Sequence, residues 1–177
     1  MFEEYLQDAY DFLSIAKKNS ETGGKREAQR YYRAAVFYTS GAIEAFINYI
    51  ADSFAKANSL PVHEICFLND KTLRYSVKHG LQEKSQYQTL DDKIRLLMQK
   101  FVPEFDFQEA TWARFMEFKD FRDSLVHPRR PEDETDPSEY QKKLDSGLGA
   151  IIEIMNKLSI GIWRKPLRKQ LLDLLPE

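Results

Sequence analysis

The stretch Ala34-Ala-Val-Phe-Tyr-Thr-Ser-Gly-Ala-Ile-Glu-Ala-Phe-Ile-Asn-Tyr-Ile50 is apolar on nearly every side of a helical projection, with Glu44 as its one charged residue. A helix hydrophobic all round belongs at the centre of a bundle rather than on its surface. No proline occurs from residue 26 to residue 57 and Gly41 is the only glycine there, so the spacing predicts one long helix over 26–57. Ala34, Ala35, Gly41, Ala42 and Ala45 are small enough to let neighbouring helices approach closely. A carboxylate in such a helix is costly when buried unpaired. Glu44 therefore either faces solvent or a structural partner, or reaches across to a site elsewhere in the chain.

Outward from this segment the apolar periodicity stays helical. Phe2, Tyr5, Leu6, Ala9, Phe12, Leu13 and Ala16 recur at three- and four-residue steps, predicting a helix over 2–18. Glu3 and Glu4 at its start and Lys17 and Lys18 at its end suit the helix dipole. Asn19-Ser-Glu-Thr-Gly-Gly24 breaks it. Residues 58–70, with Pro61, read as a connector. Residues 72–81 read as a short helix with Leu73, Val77 and Leu81 inward, and 82–89 are polar. A short amphipathic helix follows over 91–101, with Thr89 or Asp91 as its cap. Trp112, Phe115, Met116, Phe118, Phe121, Leu125 and Val126 give 109–126 a wide apolar face. Ser138 opens a last long helix ending near Trp163, and 167–175 form a final amphipathic turn or two. No segment alternates well enough to be a strand. The chain is expected to be all-α: one domain over 1–177, an irregular up-and-down bundle built on two long helices plus shorter ones.

The composition fits that expectation. With 177 residues, 42% hydrophobic and 31% charged, the chain can bury a core of its own. Cys66 is the single cysteine, which excludes an intramolecular disulfide, and no Cys/His group has zinc-site spacing. No metal and no cofactor are therefore expected. The acidic start lacks a secretion signal's basic and apolar parts, and no apolar run approaches the roughly 20 residues of a membrane span. A cytoplasmic setting without membrane is expected. The net charge of −2 excludes a uniformly basic coat, so any nucleic acid must be held by a local cluster. There is no P-loop, dinucleotide fingerprint or nucleophile elbow.

The second informative stretch is Phe118-Lys-Asp-Phe-Arg-Asp-Ser-Leu-Val-His-Pro128. On a straight helix a five-residue step puts Arg122 and His127 on different sides. Pro128 disfavours the helical conformation at His127, so the imidazole is expected at or just past the helix end, free to turn toward Arg122 or toward a second copy of the motif. Phe121-Arg-Asp-Ser-Leu-Val-His127, late in a helical chain, resembles the Arg-x4–6-His signature of the HEPN superfamily (higher eukaryotes and prokaryotes nucleotide-binding domains). The polar residue typical after the Arg is Asp123. The run Ala42-Ile-Glu-Ala-Phe-Ile-Asn48 is similar to that family's second helix. The resemblance covers about residues 26–163.

The resemblance implies a metal-independent endoribonuclease, a toxin or phage-defence effector, working as a homodimer whose two motifs face one cleft. His127 would act on the ribose 2′-hydroxyl or the leaving oxygen, and Arg122 would hold the scissile phosphate with its planar fork. Asp123 or Ser124 would orient the imidazole, with Glu44 as a further supporting residue. Arg129 and Arg130, with the basic patch over 164–169, would bind flanking phosphates of the RNA. The products would carry a 2′,3′-cyclic phosphate and a 5′-hydroxyl, and an antitoxin or other protein partner would accompany a toxin. The alternative is a non-catalytic HEPN-like module that binds a nucleotide or a protein and dimerises.

Plainer readings stand beside these. Cations at a helix C-terminus commonly cap its last carbonyls. The acidic run over 132–136 would repel RNA if it lay across the cleft. His63 and His79 read as surface residues, and Tyr31 and Tyr32 as core rather than base-stacking platforms.

Overall fold

The computed structural model describes residues 1–127 and 135–175. Within them the order is α1 (Phe2–Glu21), α2 (Lys25–Ala57), α3 (Val62–Leu68), β1 (Lys71–Ser76), β2 (Gly80–Ser85), α4 (Leu90–Phe101), α5 (Ala110–Val126), α6 (Pro137–Trp163) and α7 (Lys169–Leu172). The architecture is the expected helical bundle on two long helices, with one small antiparallel hairpin added.

Helices α2 and α6 form the centre. Ala35, Val36, Ala42, Ile47 and Ile50 of α2 and Ala150, Ile151, Ile152, Ile154, Met155 and Leu158 of α6 are fully buried. Helix α1 lies along α2, and Gly41 makes that approach close: a Cβ there would stand 3.2 Å from the Tyr5 ring. Tyr32 is fully buried and stacks on Tyr140 at 5.7 Å, so it belongs to the core. Helix α2 ends at Asn58 in the left-handed conformation (φ 47), which Asn tolerates better than most residues.

Helix α5 packs on α6, with Phe118 against Gly147, and buries Trp112, Phe115 and Phe118 in the core. Full burial of such a ring stabilises by about 1.5–3 kcal/mol. Gly147 of α6 lets Phe118 in, since a Cβ at Gly147 would overlap the ring. The aromatic face of α5 is therefore largely taken up inside one chain, with Phe121 and Met116 half-buried against the same core.

Three local expectations are corrected. Residues 72–81 are not a helix; they belong to the β1–β2 hairpin, paired in register Lys71↔Ser85 through Ser76↔Gly80. The Leu73, Val77 and Leu81 spacing imitates a helical face, but Val77 is 94% exposed and Leu81 65%, so no apolar stripe is buried. Gly80 sits at φ +68, closing a three-residue turn over 77–79 in the left-handed conformation that such hairpin loops need. The connector over 58–70 contains α3, started by Pro61 and burying Cys66 and Leu68. The N-cap of α6 is Asp136, whose carboxylate accepts from the Ser138 N–H at 3.0 Å, with Pro137 at the first helical position. Those two hydrogen-bonding groups of Ser138, backbone and hydroxyl, hold the Asp136 carboxyl below its ordinary pKa.

Candidate functional site

The site forms where α2, α4 and α5 meet. Arg122 lies on the last turns of α5, and its side chain is about one-third exposed (32%). Its Nη1 donates to Asp123 Oδ1 at 2.8 Å and its Nη2 to Glu44 Oε1 at 3.3 Å. Glu44 is thus a partner of Arg122, reached across 78 positions of sequence because α2 and α5 pack together. Asp123 also lies 4.0 Å from Lys119 Nζ, which lies 3.5 Å from Asp91 Oδ1. The result is a chain of alternating charge, Glu44–Arg122–Asp123–Lys119–Asp91.

Arg122 Nε is buried without a hydrogen bond, and Asp91 Oδ1 is buried with only its 3.5 Å ion pair to Lys119. An unsatisfied buried polar atom costs about 1–3 kcal/mol, and such atoms are uncommon in native structures. Beside Arg122 is a cavity of about 120 Å³, walled by Ser40, Ile43 and Glu44 of α2, by Phe115, Lys119, Arg122 and Asp123 of α5, and by Tyr87 and Thr89 before α4. The floor is apolar, with Phe118 and Ile151 beneath the charged rim. The cavity suits a small polar or anionic group held at a mixed-charge edge.

His127 closes α5. Its backbone leaves the helical region at φ −120, ψ 66, and its N–H donates to the Asp123 carbonyl at 3.0 Å. The residue is exposed, and its imidazole makes no hydrogen bond among the described residues. Helix termination before Pro128 thus falls where the sequence indicated. The structure brings Arg122, Asp123 and Glu44 together. It does not bring Asp123 or Ser124 to the imidazole: Asp123 faces Arg122, and the Ser124 hydroxyl donates to the Phe121 carbonyl at 2.6 Å.

Arg129, Arg130 and the acidic residues over 132–134 lie outside the described residues. In the C-terminal basic patch, Arg168 is paired with Glu3 at 3.0 Å and Arg164 is the left-handed cap of α6 (φ 59). Neither lines the Arg122 cavity. His63 and His79 are exposed. Cys66 is buried, and burial pushes its thiol pKa up, which makes it a poor nucleophile. Among the described residues no group of three or more His, Cys, Asp or Glu is placed to hold a metal ion, and no helix is long and apolar enough to cross a membrane.

Sequence reasoning missed Lys119, Asp91, Ser40, Tyr87 and Thr89 as parts of this site. Thr89 was legible only as a helix cap, a role it also has: its Oγ1 accepts from the Asp92 N–H at 3.3 Å. Comparison of the chain with family models, curated proteins and solved structures returned no significant match.

Proposed function

We propose that this chain is a HEPN-like, metal-independent endoribonuclease acting as a homodimer, with Arg122 and His127 at a shared cleft. The observation that carries the reading is the end of α5: Arg122, with a buried Nε lacking a hydrogen bond, lines a cavity, and His127 follows at the helix terminus with its ring unbonded among the described residues. An imidazole held by no structural hydrogen bond is free to turn toward a reacting oxygen and serve as general base or acid. Removal of the ribose 2′-proton lets O2′ attack the adjacent phosphorus. The P–O2′ bond forms, the P–O5′ bond breaks, and the leaving oxygen takes a proton. A guanidinium at the phosphate stabilises the charge that develops on its equatorial oxygens. The step uses no water and leaves a 2′,3′-cyclic phosphate and a 5′-hydroxyl. A toxin or phage-defence role follows from the same resemblance, with a neutralising protein as its partner and the cytoplasm as its setting.

One observation favours a second reading, a non-catalytic nucleotide- or protein-binding module. In a single chain the Arg122 fork is engaged by Glu44 and Asp123, so a phosphate has to displace or share one of these carboxylates. End-group analysis separates the two. The nuclease reading expects RNA fragments bearing cyclic phosphate after incubation with the purified protein. A panel of single-stranded RNAs left intact makes the binding module the better account.

A further inference from the structure

The β1–β2 hairpin is a surface with its own chemistry. Residues 71–88 carry Lys71, Arg74, Lys78 and Lys84 against one carboxylate, Glu83, in a chain whose net charge is −2. Lys71 is paired with Glu83 at 2.7 Å. Arg74, Lys78 and Lys84 have no ion-pair partner among the described residues, and all three are exposed. The register places Arg74 opposite Gln82 and Thr72 opposite Lys84, so Arg74 and Lys84 share one face of the ribbon. On the other face Tyr75 stands opposite Leu81, and Tyr75 is 73% exposed. The hairpin meets the bundle mainly through β1 on α3, which leaves the cationic face open.

The root of the hairpin leads to the Arg122 site. The Gln86 N–H donates to the Asp70 carbonyl at 2.8 Å, and the Gln88 N–H to the Asp70 carboxylate at 2.9 Å. That carboxylate also accepts from the buried Lys93 Nζ of α4 at 2.7 Å. Tyr87, between the two pinned amides and 82% exposed, stands on the wall of the cavity that holds Arg122. Two unpaired cations on one face with a third in the turn, an exposed tyrosine on the opposite face and another at the root, and continuity with an arginine-lined cavity are complementary to one kind of polymer. It carries regularly spaced anions and flat bases that are free to stack.

We propose that the hairpin is a binding arm for single-stranded RNA: Arg74, Lys78 and Lys84 track the phosphates, Tyr75 and Tyr87 stack bases, and the strand is led toward Arg122. The choice of RNA rests on the nuclease reading of the Arg122 site; the arm itself rests on the charge and exposure of the hairpin. The test uses the full chain carrying His127→Ala, so that cleavage does not interfere, and measures binding of a fluorescent single-stranded RNA by anisotropy between 50 and 200 mM salt. Each phosphate contact on a single strand contributes a slope of about −0.7 in log K against log salt. Arg74→Glu, Lys78→Glu and Lys84→Glu together should weaken binding at least tenfold at 50 mM salt and flatten the slope by about 2. Tyr75→Ala alone should weaken it about tenfold. An unchanged affinity and slope in the triple variant overturns the arm, as does absence of RNA binding by the parent. Loss of binding to phosphatidylserine vesicles in the triple variant with RNA binding unaltered also overturns it, and assigns the surface to membranes. Binding that follows these expectations in a protein whose unsubstituted form cuts no RNA keeps the arm and removes the nuclease.

Discussion

Arg122 Nη2 and Glu44 Oε1 stand 3.3 Å apart, tying the end of α5 to the middle of α2 at the rim of the candidate site. Both side chains are partly exposed (32% and 46%), so the pair stabilises the fold only weakly, by about 1 kcal/mol or less. Its larger effect is on where the guanidinium sits. Glu44→Gln keeps the shape and an acceptor while removing the charge. Denaturant unfolding should show a change within about 1 kcal/mol, whereas in the proposed nuclease RNA cleavage should fall about tenfold, because Glu44 holds the guanidinium while a phosphate takes the place of Asp123. Arg122→Lys should not restore cleavage to the parent level, since an ammonium cannot replace the planar fork. Full activity in Glu44→Gln would remove Glu44 from the site.

Gly147 and Phe118 set the distance between α5 and α6. A methyl group at Gly147 would overlap the buried Phe118 ring, so the ring or the helix has to shift. Gly147→Ala should therefore destabilise by about 1–3 kcal/mol despite alanine's better helix propensity. Urea unfolding measures it. A neutral or stabilising result would mean that α5 and α6 are further apart than described.

The Arg–His end of α5 was legible from sequence because proline punctuates it, and α2 and α6 were legible because their apolar pattern holds a helical period over many turns. The hairpin was not. Leu73, Val77 and Leu81 satisfy a helical spacing and, as Tyr75 and Leu81 across a turn, a strand pairing as well; only the glycine at position 80 marks the difference. The partners of Arg122 were legible in kind but not in pairing. Glu44 lies 78 positions away, and Lys119 meets Asp91 because α4 and α5 each pack on the central helices α2 and α6, which no local pattern encodes.

Asp70 holds the hairpin root in place from a left-handed backbone conformation (φ 56), binding the Gln86 and Gln88 amides and the buried Lys93 ammonium. Asp70→Ala removes the carboxylate and leaves Lys93 without that partner. Stability should fall by about 1–3 kcal/mol. Hydrogen exchange of the Gln88 amide should accelerate well before that of the α2 and α6 core amides. Exchange that stays as slow as in the parent would show that the root is held by other contacts.

In the proposed nuclease, His127 performs metal-free proton transfer in RNA cleavage. The direct measurement is the cleavage rate on single-stranded RNA in excess EDTA, for the parent and for His127→Ala. A positioned proton-transfer group contributes about 10²–10⁴-fold. The parent should cut at the same rate with and without EDTA, and His127→Ala should be slower by that factor while keeping the parent's circular dichroism, because the residue lies exposed at a helix end. Cleavage abolished by EDTA, or equal in the two proteins, would contradict the account.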